Sequence, residues 1–153
     1  MQVKEIMVHD ARFCRLDTNL AEAVEIMWDN DCGALPVLDG GEKVVGMITD
    51  RNICIAAGTR NRLPAEIKVS DVVTQTVYTC APEDDIRAAL RTMRIKKVRR
   101  LPVVSNDGLL QGILCLDDIV LNAKKTDALS YEHLIETAQA ICEHPMPRHT
   151  QAA

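Results

Sequence analysis

The chain has 153 residues, a formal net charge of −4 and 47% hydrophobic residues. An acidic balance argues against a general electrostatic grip on nucleic acid, whose phosphates call for clustered cations. No stretch approaches the ~20 apolar residues of a membrane span, and no apolar run follows the start Met1-Gln2-Val3-Lys4-Glu5; the expectation is a soluble, cytoplasmic protein with no signal peptide and no membrane or nucleic-acid partner.

In chain order, residues 3–8 form a short lead-in and residues 12–16 alternate as a strand does. Asp17-Thr18-Asn19 offers N-cap oxygens immediately before Leu20. Leu20, Ala23, Val24 and Met27 then recur at i, i+3, i+4 and i+7, which is one face of a helix. Residues 34–38 are a short apolar strand, Asp39-Gly40-Gly41 a turn, and residues 44–48 the next strand. Thr49 opens a helix through Ala57 that Gly58 stops. Residues 58–68, with Gly58, Pro64 and several basic residues, read as a surface linker.

The same signs then recur. Residues 3–57 align without a gap onto residues 69–123 at a constant offset of 66 (69 − 3). Val3 falls on Val69, Cys14 on Cys80, Leu35-Pro36-Val37 on Leu101-Pro102-Val103, and Gly46 on Gly112. Glu83-Asp84-Asp85 supplies caps, and Ile86, Ala89, Leu90 and Met93 form a helical face. Residues 101–104 and 109–115 are strands around the turn Ser105-Asn106-Asp107-Gly108, and residues 117–123 are a closing helix. One repeat of about 55 residues buries a marginal core, so two packed together make the better stability unit. The expected organisation is repeat one over 1–57, a linker over 58–68, repeat two over 69–123, and a C-terminal helix and tail over 124–153. In that tail Tyr131, Leu134, Ile135, Ala138, Ile141 and Cys142 sit at helical spacing, ended before Pro145. Amphipathicity leaves two readings open: a cap on the domain's own surface or a dimer contact.

Candidate chemistry lies at the ends of the last strand of each repeat. Gly46 permits a close backbone approach. Thr49 and Asn52 share a helix N-terminus, where N–H groups and the dipole favour an anion; they are equally readable as a helix cap alone. Lys96-Lys97-Val98-Arg99-Arg100 places four cations before the Leu101-Pro102-Val103 strand, and guanidinium forks suit phosphate. The corresponding run in repeat one, residues 30–34, has no cation. Six cysteines lie in or beside apolar segments without a C-x-x-C pair, as buried reduced thiols do. The four histidines show no metal-ligand spacing. With no nucleophile–base pair and no P-loop either, the chain reads as a non-enzyme.

The gapless repeat, the paired Leu-Pro-Val strands and the Gly-hydrophobic-hydrophobic-Thr-x-x-Asn segment resemble tandem cystathionine-β-synthase (CBS) domains, of the stand-alone bacterial kind. The resemblance covers residues 3–123. It implies an α/β architecture of two pseudo-symmetric β-α-β-β-α repeats packed sheet to sheet, each sheet with two helices on one side, plus the amphipathic C-terminal helix. It further implies a regulatory module that binds an adenosine nucleotide between the repeats: AMP first, with ADP, ATP, NAD(H) or S-adenosylmethionine as alternatives. A homodimer would signal to an effector protein in trans. The family's Gly-h-h-Thr/Ser-x-x-Asp motif falls on Gly46, Thr49 and Asn52, and on Gly112, Cys115 and Asp118. One implied site joins Thr49 and Asn52 to Lys97, Arg99 and Arg100, with backbone from Tyr78 to Cys80 near the base. The other joins Cys115 and Asp118 to Gly33 and Ala34, with backbone from Phe13 through Cys14 to Leu16. Asn52 replaces the ribose carboxylate and Cys115 replaces the phosphate hydroxyl. The first site is therefore expected to hold the charged phosphate, and the second to be empty or to take a nucleoside-like moiety. Two other readings stand beside this one: a structural dimerisation module with decayed sites, and a cysteine-based redox sensor.

Overall fold

A computed structural model describes residues 1–74, 76–123 and 130–143. The order of elements is β1 (Cys14–Arg15), α1 (Leu20–Asp29), β2 (Ala34–Leu38), β3 (Val44–Thr49) and α2 (Asp50–Thr59) in repeat one. Repeat two has α3 (Ile86–Lys96), β4 (Arg100–Val104), β5 (Leu110–Cys115) and α4 (Leu116–Asn122), and α5 (Tyr131–Cys142) follows. Short 3-10 turns at Val3–Glu5 and Val69–Asp71 open the two repeats. Each helix start has a local cause. Asn19 accepts from the Glu22 amide at 3.0 Å while the Glu22 side chain accepts from the Asn19 amide at 3.3 Å, the reciprocal cap that suits a helix entry. Asp85 accepts from the Arg87 amide at 2.8 Å. Lys97 ends α3 in a left-handed conformation, φ 54.

The hairpins β2–β3 and β4–β5 are antiparallel with the same register. Ala34 pairs with Thr49 and Arg100 with Cys115, and each hairpin slips once, at Val37/Leu38 and at Val103/Val104. Repetition thus extends to the hydrogen-bond ladder. Several boundaries depart from expectation, three of them as follows. The first strand shrinks to Cys14–Arg15, and its counterpart in repeat two is a single bridge, Cys80 to Val103. Gly58 does not stop α2, which runs on to Thr59. The last helix of repeat two starts at Leu116 and ends at Asn122.

A larger departure concerns the lead-ins, which pack on the wrong half. Val3 and Met7 are buried in the core of repeat two, with Leu90, Met93, Leu101 and Leu114. Ile67 and Val69 are buried in the core of repeat one, with Leu20, Leu35, Val37 and Ile48. The backbone bonds match across the repeat: Val3 N–H to Asp84 C=O and Lys4 N–H to Pro82 C=O, against Val69 N–H to Thr18 C=O and Ser70 N–H to Leu16 C=O. A division at residues 57 and 69 describes the sequence duplication, but each packed half borrows its first turn from the other copy.

This exchange explains two glycines. A Cβ on Gly112 would lie 2.5 Å from the Val8 carbonyl oxygen, and one on Gly46 2.5 Å from Val73 Cγ2 and 3.0 Å from the Thr74 carbonyl oxygen. Val8 and Ile113 bond to each other in both directions at this approach, so backbone rather than a movable side chain fills the space at Gly112. Gly112→Ala is expected to cost about 1–3 kcal/mol by overpacking, measured by urea denaturation. Hydrogen exchange should show the loss at both residues 3–8 and β5, although they are distant in sequence.

Candidate functional site

The two repeats meet along a seam where Val44 N–H bonds to the Gly108 carbonyl at 3.1 Å. At the start of β2, the Gly33 carbonyl accepts from the Asp50 amide at 3.1 Å; the Arg99 carbonyl accepts from the Leu116 amide at 2.9 Å in the equivalent place. These bonds hold each strand entry against the first turn of α2 or α4. Arg100 reaches over the seam: its Nη2 lies 3.8 Å from where a Gly33 Cβ would stand, and Asp50 Oδ2 lies 2.9 Å from the same point. Gly33 therefore leaves the space in which a guanidinium of repeat two and a carboxylate of repeat one approach.

Of the cations expected around Thr49, Arg100 reaches the first turn of α2, while the others are placed elsewhere. Thr49 and Asn52 form a closed cap. Thr49 Oγ1 accepts from the Asn52 amide at 3.2 Å and donates to Asn52 Oδ1 at 2.7 Å, and Oδ1 also accepts from the Thr49 amide at 3.1 Å. Only the Asn52 side-chain NH2 remains to donate outward. Lys97 turns to the C-terminal helix, where its ammonium donates to Glu143 at 2.6 Å. Lys96 lies over the Tyr78 ring, 5.0 Å from its centroid. The Arg99 side chain is exposed. Arg100 alone of the four cations is fixed at the seam.

Arg100, expected with the Thr49 group, also touches members of the Cys115 group. Arg100 pairs with Cys115 across β4–β5 and stands beside Gly33. Ala34 is buried and paired with Thr49. Asp118 accepts from the Cys115 amide at 2.7 Å through one oxygen, which leaves the second to accept elsewhere. Backbone near the expected base positions is partly spent. The Cys80 N–H bonds to Pro102 and its C=O to Val104, and the Leu16 C=O bonds to Ser70. Cys14 and Cys80 are buried, one in each core.

Asp50 is the residue that sequence reasoning missed. Its signal is a carboxylate directly after Thr49, where repeat two carries the apolar Leu116. It became meaningful only with Arg100 placed near it.

Three of the six thiols are shifted away from reactivity. Burial pushes Cys14 and Cys80 up to about 12 from 9.0. Burial raises Cys115 to about 11, with Asp118 adding to the rise and the Arg100 guanidinium opposing it. A low thiol pKa is what a redox cysteine needs. Among the described residues no group of three or more His, Cys, Asp or Glu could hold a metal ion, and no helix is long and apolar enough to cross a membrane. Two sizeable grooves lie off the Arg100 position: one of ≈ 550 Å³ between α3 and α5, and one of ≈ 630 Å³ lined by residues 9–13, Leu38, Glu42 and residues 109–111.

With this geometry in place, comparison with known proteins gives a consistent picture. The family model described as CBS domain matches residues 3–58 and 69–124. The chain is 31% identical over 127 residues to the uncharacterized protein YlbB of Bacillus subtilis, covering 82% of this chain and 84% of that protein. It is 35% identical over 126 residues to the inosine-5'-monophosphate dehydrogenase of Methanocaldococcus jannaschii, covering 81% of this chain but only 24% of that enzyme. Among solved structures, CBSX2 in complex with AMP superposes with a TM-score of 0.68 at 26% identity, covering 78% of this chain and 93% of that one.

Alkylation of the folded protein at neutral pH should modify the exposed Cys54 and Cys142 well before Cys14, Cys80 and Cys115, read by peptide mass mapping. Because the folded state holds these three thiols neutral, the unfolded chain ionises first. Stability should therefore fall as pH rises above the ordinary thiol value of 9.0.

Proposed function

The chain belongs to the CBS domain family, as two copies in tandem, and from that premise we propose that it is a regulatory module that binds an adenosine nucleotide at the seam between its repeats. The observation that carries this reading is Arg100, a guanidinium of repeat two held beside Gly33 and the first turn of α2 in repeat one. A phosphate there would meet a cation and the positive end of a ten-residue helix together. Asp118, with one carboxylate oxygen uncommitted, is the acceptor suited to ribose hydroxyls; the Asn52 oxygen is already spent on Thr49. The phosphate thus stays at the Thr49 end of α2 with Arg100, as residue types preferred, while Asp118 rather than Asn52 supplies the ribose acceptor. Binding of AMP by CBSX2, 26% identical over most of this chain, supports the ligand class.

Asp50 gives the proposal a mechanism. Its carboxylate and the Arg100 guanidinium flank the same space over Gly33, and a phosphate entering that space would be drawn by the guanidinium and repelled by the carboxylate. A charge placed between them changes how strongly each repeat holds the other. A ligand shifts that balance only by its differential affinity for the two arrangements. The output is a changed surface, read by a second copy and by an effector protein in trans; no step of chemistry is required of the module itself.

Isothermal titration with AMP and with adenosine separates the roles. Arg100→Ala should weaken AMP by about tenfold or more, the scale of a charge-assisted bond, and leave adenosine nearly unchanged. Asp118→Ala should weaken both. If Arg100→Ala binds AMP as the parent does, the phosphate is not held at this seam. Should neither nucleotide nor nucleoside raise the melting temperature at any concentration, the regulatory reading falls.

A further inference from the structure

The corner of the seam over Gly33 holds two opposite charges that do not pair. Asp50 Oδ2 lies 2.9 Å, and Arg100 Nη2 3.8 Å, from the point where a Gly33 Cβ would stand. Asp50 and Arg100 are nevertheless not among the ion pairs of the described residues, which are Arg15–Glu42, Arg87–Asp85, Arg94–Glu136 and Lys97–Glu143. Local bonds hold the carboxylate in place. Asp50 Oδ1 accepts from the Arg51 amide at 2.7 Å, and the Asp50 amide donates to the Gly33 carbonyl at 3.1 Å. Oδ2 is left without a hydrogen-bond partner among the described residues. Arg100 enters from the other repeat, on β4 opposite Cys115.

A bare phosphate uses only half of this corner: the guanidinium attracts it and the carboxylate repels it. An uncharged arm uses neither charge. A group with a cation and an anion on neighbouring atoms uses both, and the α-amino acid head is the compact form of such a group. Its carboxylate suits the guanidinium fork, and its ammonium is a donor for the unpartnered Oδ2. The equivalent corner lacks these charges, because Arg99, Leu116 and Ala34 stand there for Gly33, Asp50 and Arg100.

We propose that the Gly33 corner selects adenosine ligands whose 5′ arm ends in an α-amino acid, with Arg100 taking the carboxylate and Asp50 the ammonium. Asp50 is then the specificity-determining residue of the seam. It opposes a ligand that brings only negative charge and favours one that brings both signs, so a single side chain supplies the attraction and the rejection. The inference rests on the reading that adenosine is held at the seam with its ribose at Asp118, and it names the 5′ group preferred there. Gly33 belongs to the device: a methyl group on it would stand 2.9 Å from Oδ2 and displace the carboxylate.

Isothermal titration of the full chain with three adenosine probes tests it. 5′-Methylthioadenosine has no charged arm, S-adenosylhomocysteine adds the amino acid head without a sulfonium, and AMP carries phosphate alone. The wild type should bind S-adenosylhomocysteine about tenfold or more tighter than methylthioadenosine. Asp50→Asn retains Oδ1 and the backbone bond to Gly33. It should abolish that preference and strengthen AMP by about threefold, the scale of an exposed charge pair. Opposite changes for two ligands in one variant exclude general damage to the fold. Gly33→Ala should also lose the preference for S-adenosylhomocysteine, and Arg100→Ala should weaken both charged ligands. If the wild type binds S-adenosylhomocysteine no tighter than methylthioadenosine, or Asp50→Asn keeps the preference, the proposal is wrong while the adenosine site stands. If none of the three probes binds, the adenosine reading and this inference fall together.

Discussion

The structure depends on the exchange of its two opening turns. Neither repeat completes its own core: Val3 and Met7 finish repeat two, and Ile67 and Val69 finish repeat one. A unit of about 55 residues is marginal alone. Exchange makes the halves one cooperative object, because separating them would expose both cores and break backbone bonds at both ends. Gly46 and Gly112 admit these segments at distances no Cβ tolerates. The glycine at these two equivalent positions is thus a requirement of the fold.

That same constraint limits how the two halves can move relative to one another. A body locked at two symmetric joints has limited freedom, and what remains lies in the seam between the joints. There the chain places Arg100 of one half near Asp50 of the other. Both residues lack a charged counterpart in the opposite repeat, Ala34 standing for Arg100 and Leu116 for Asp50. Duplication supplied two equivalent corners, and divergence left one cation and one extra anion on the shared axis.

The C-terminal helix deepens the asymmetry. It covers the outer face of α3 by burying Leu134 and Thr137, and it engages Arg94 and Lys97 through Glu136 and Glu143. Of its two readings, a cap on the chain's own surface describes Leu134, Ala138 and Ile141. Tyr131 and Ile135 face outward instead, and the face that α5 buries includes Thr137, an unpromising residue by composition whose hydroxyl bonds to the His133 carbonyl at 2.8 Å. By drawing Lys97 away from the seam, α5 also removes one of the cations that residue types had assigned to phosphate. Pro145 and its role in ending this helix lie outside the described residues.

Read as a string, the chain disclosed its duplication, its helix faces and caps, both hairpins and the family. Each of these is set by neighbours within a few residues, or by comparison at a constant offset of 66. Residue types likewise marked Thr49, Asn52, Cys115, Asp118 and the basic run as the places of interest. Their grouping could not be read that way. Which half a lead-in completes and which of four adjacent cations turns inward depend on contacts between segments distant in sequence, where local pattern holds no information; the Thr49–Asn52 cap, three residues apart, was among the readings the sequence offered. The sequence by itself determined two like halves with unlike charges; only the tertiary structure decided that they trade their first turns and share Arg100, because packing and hydrogen bonding choose partners by distance in space.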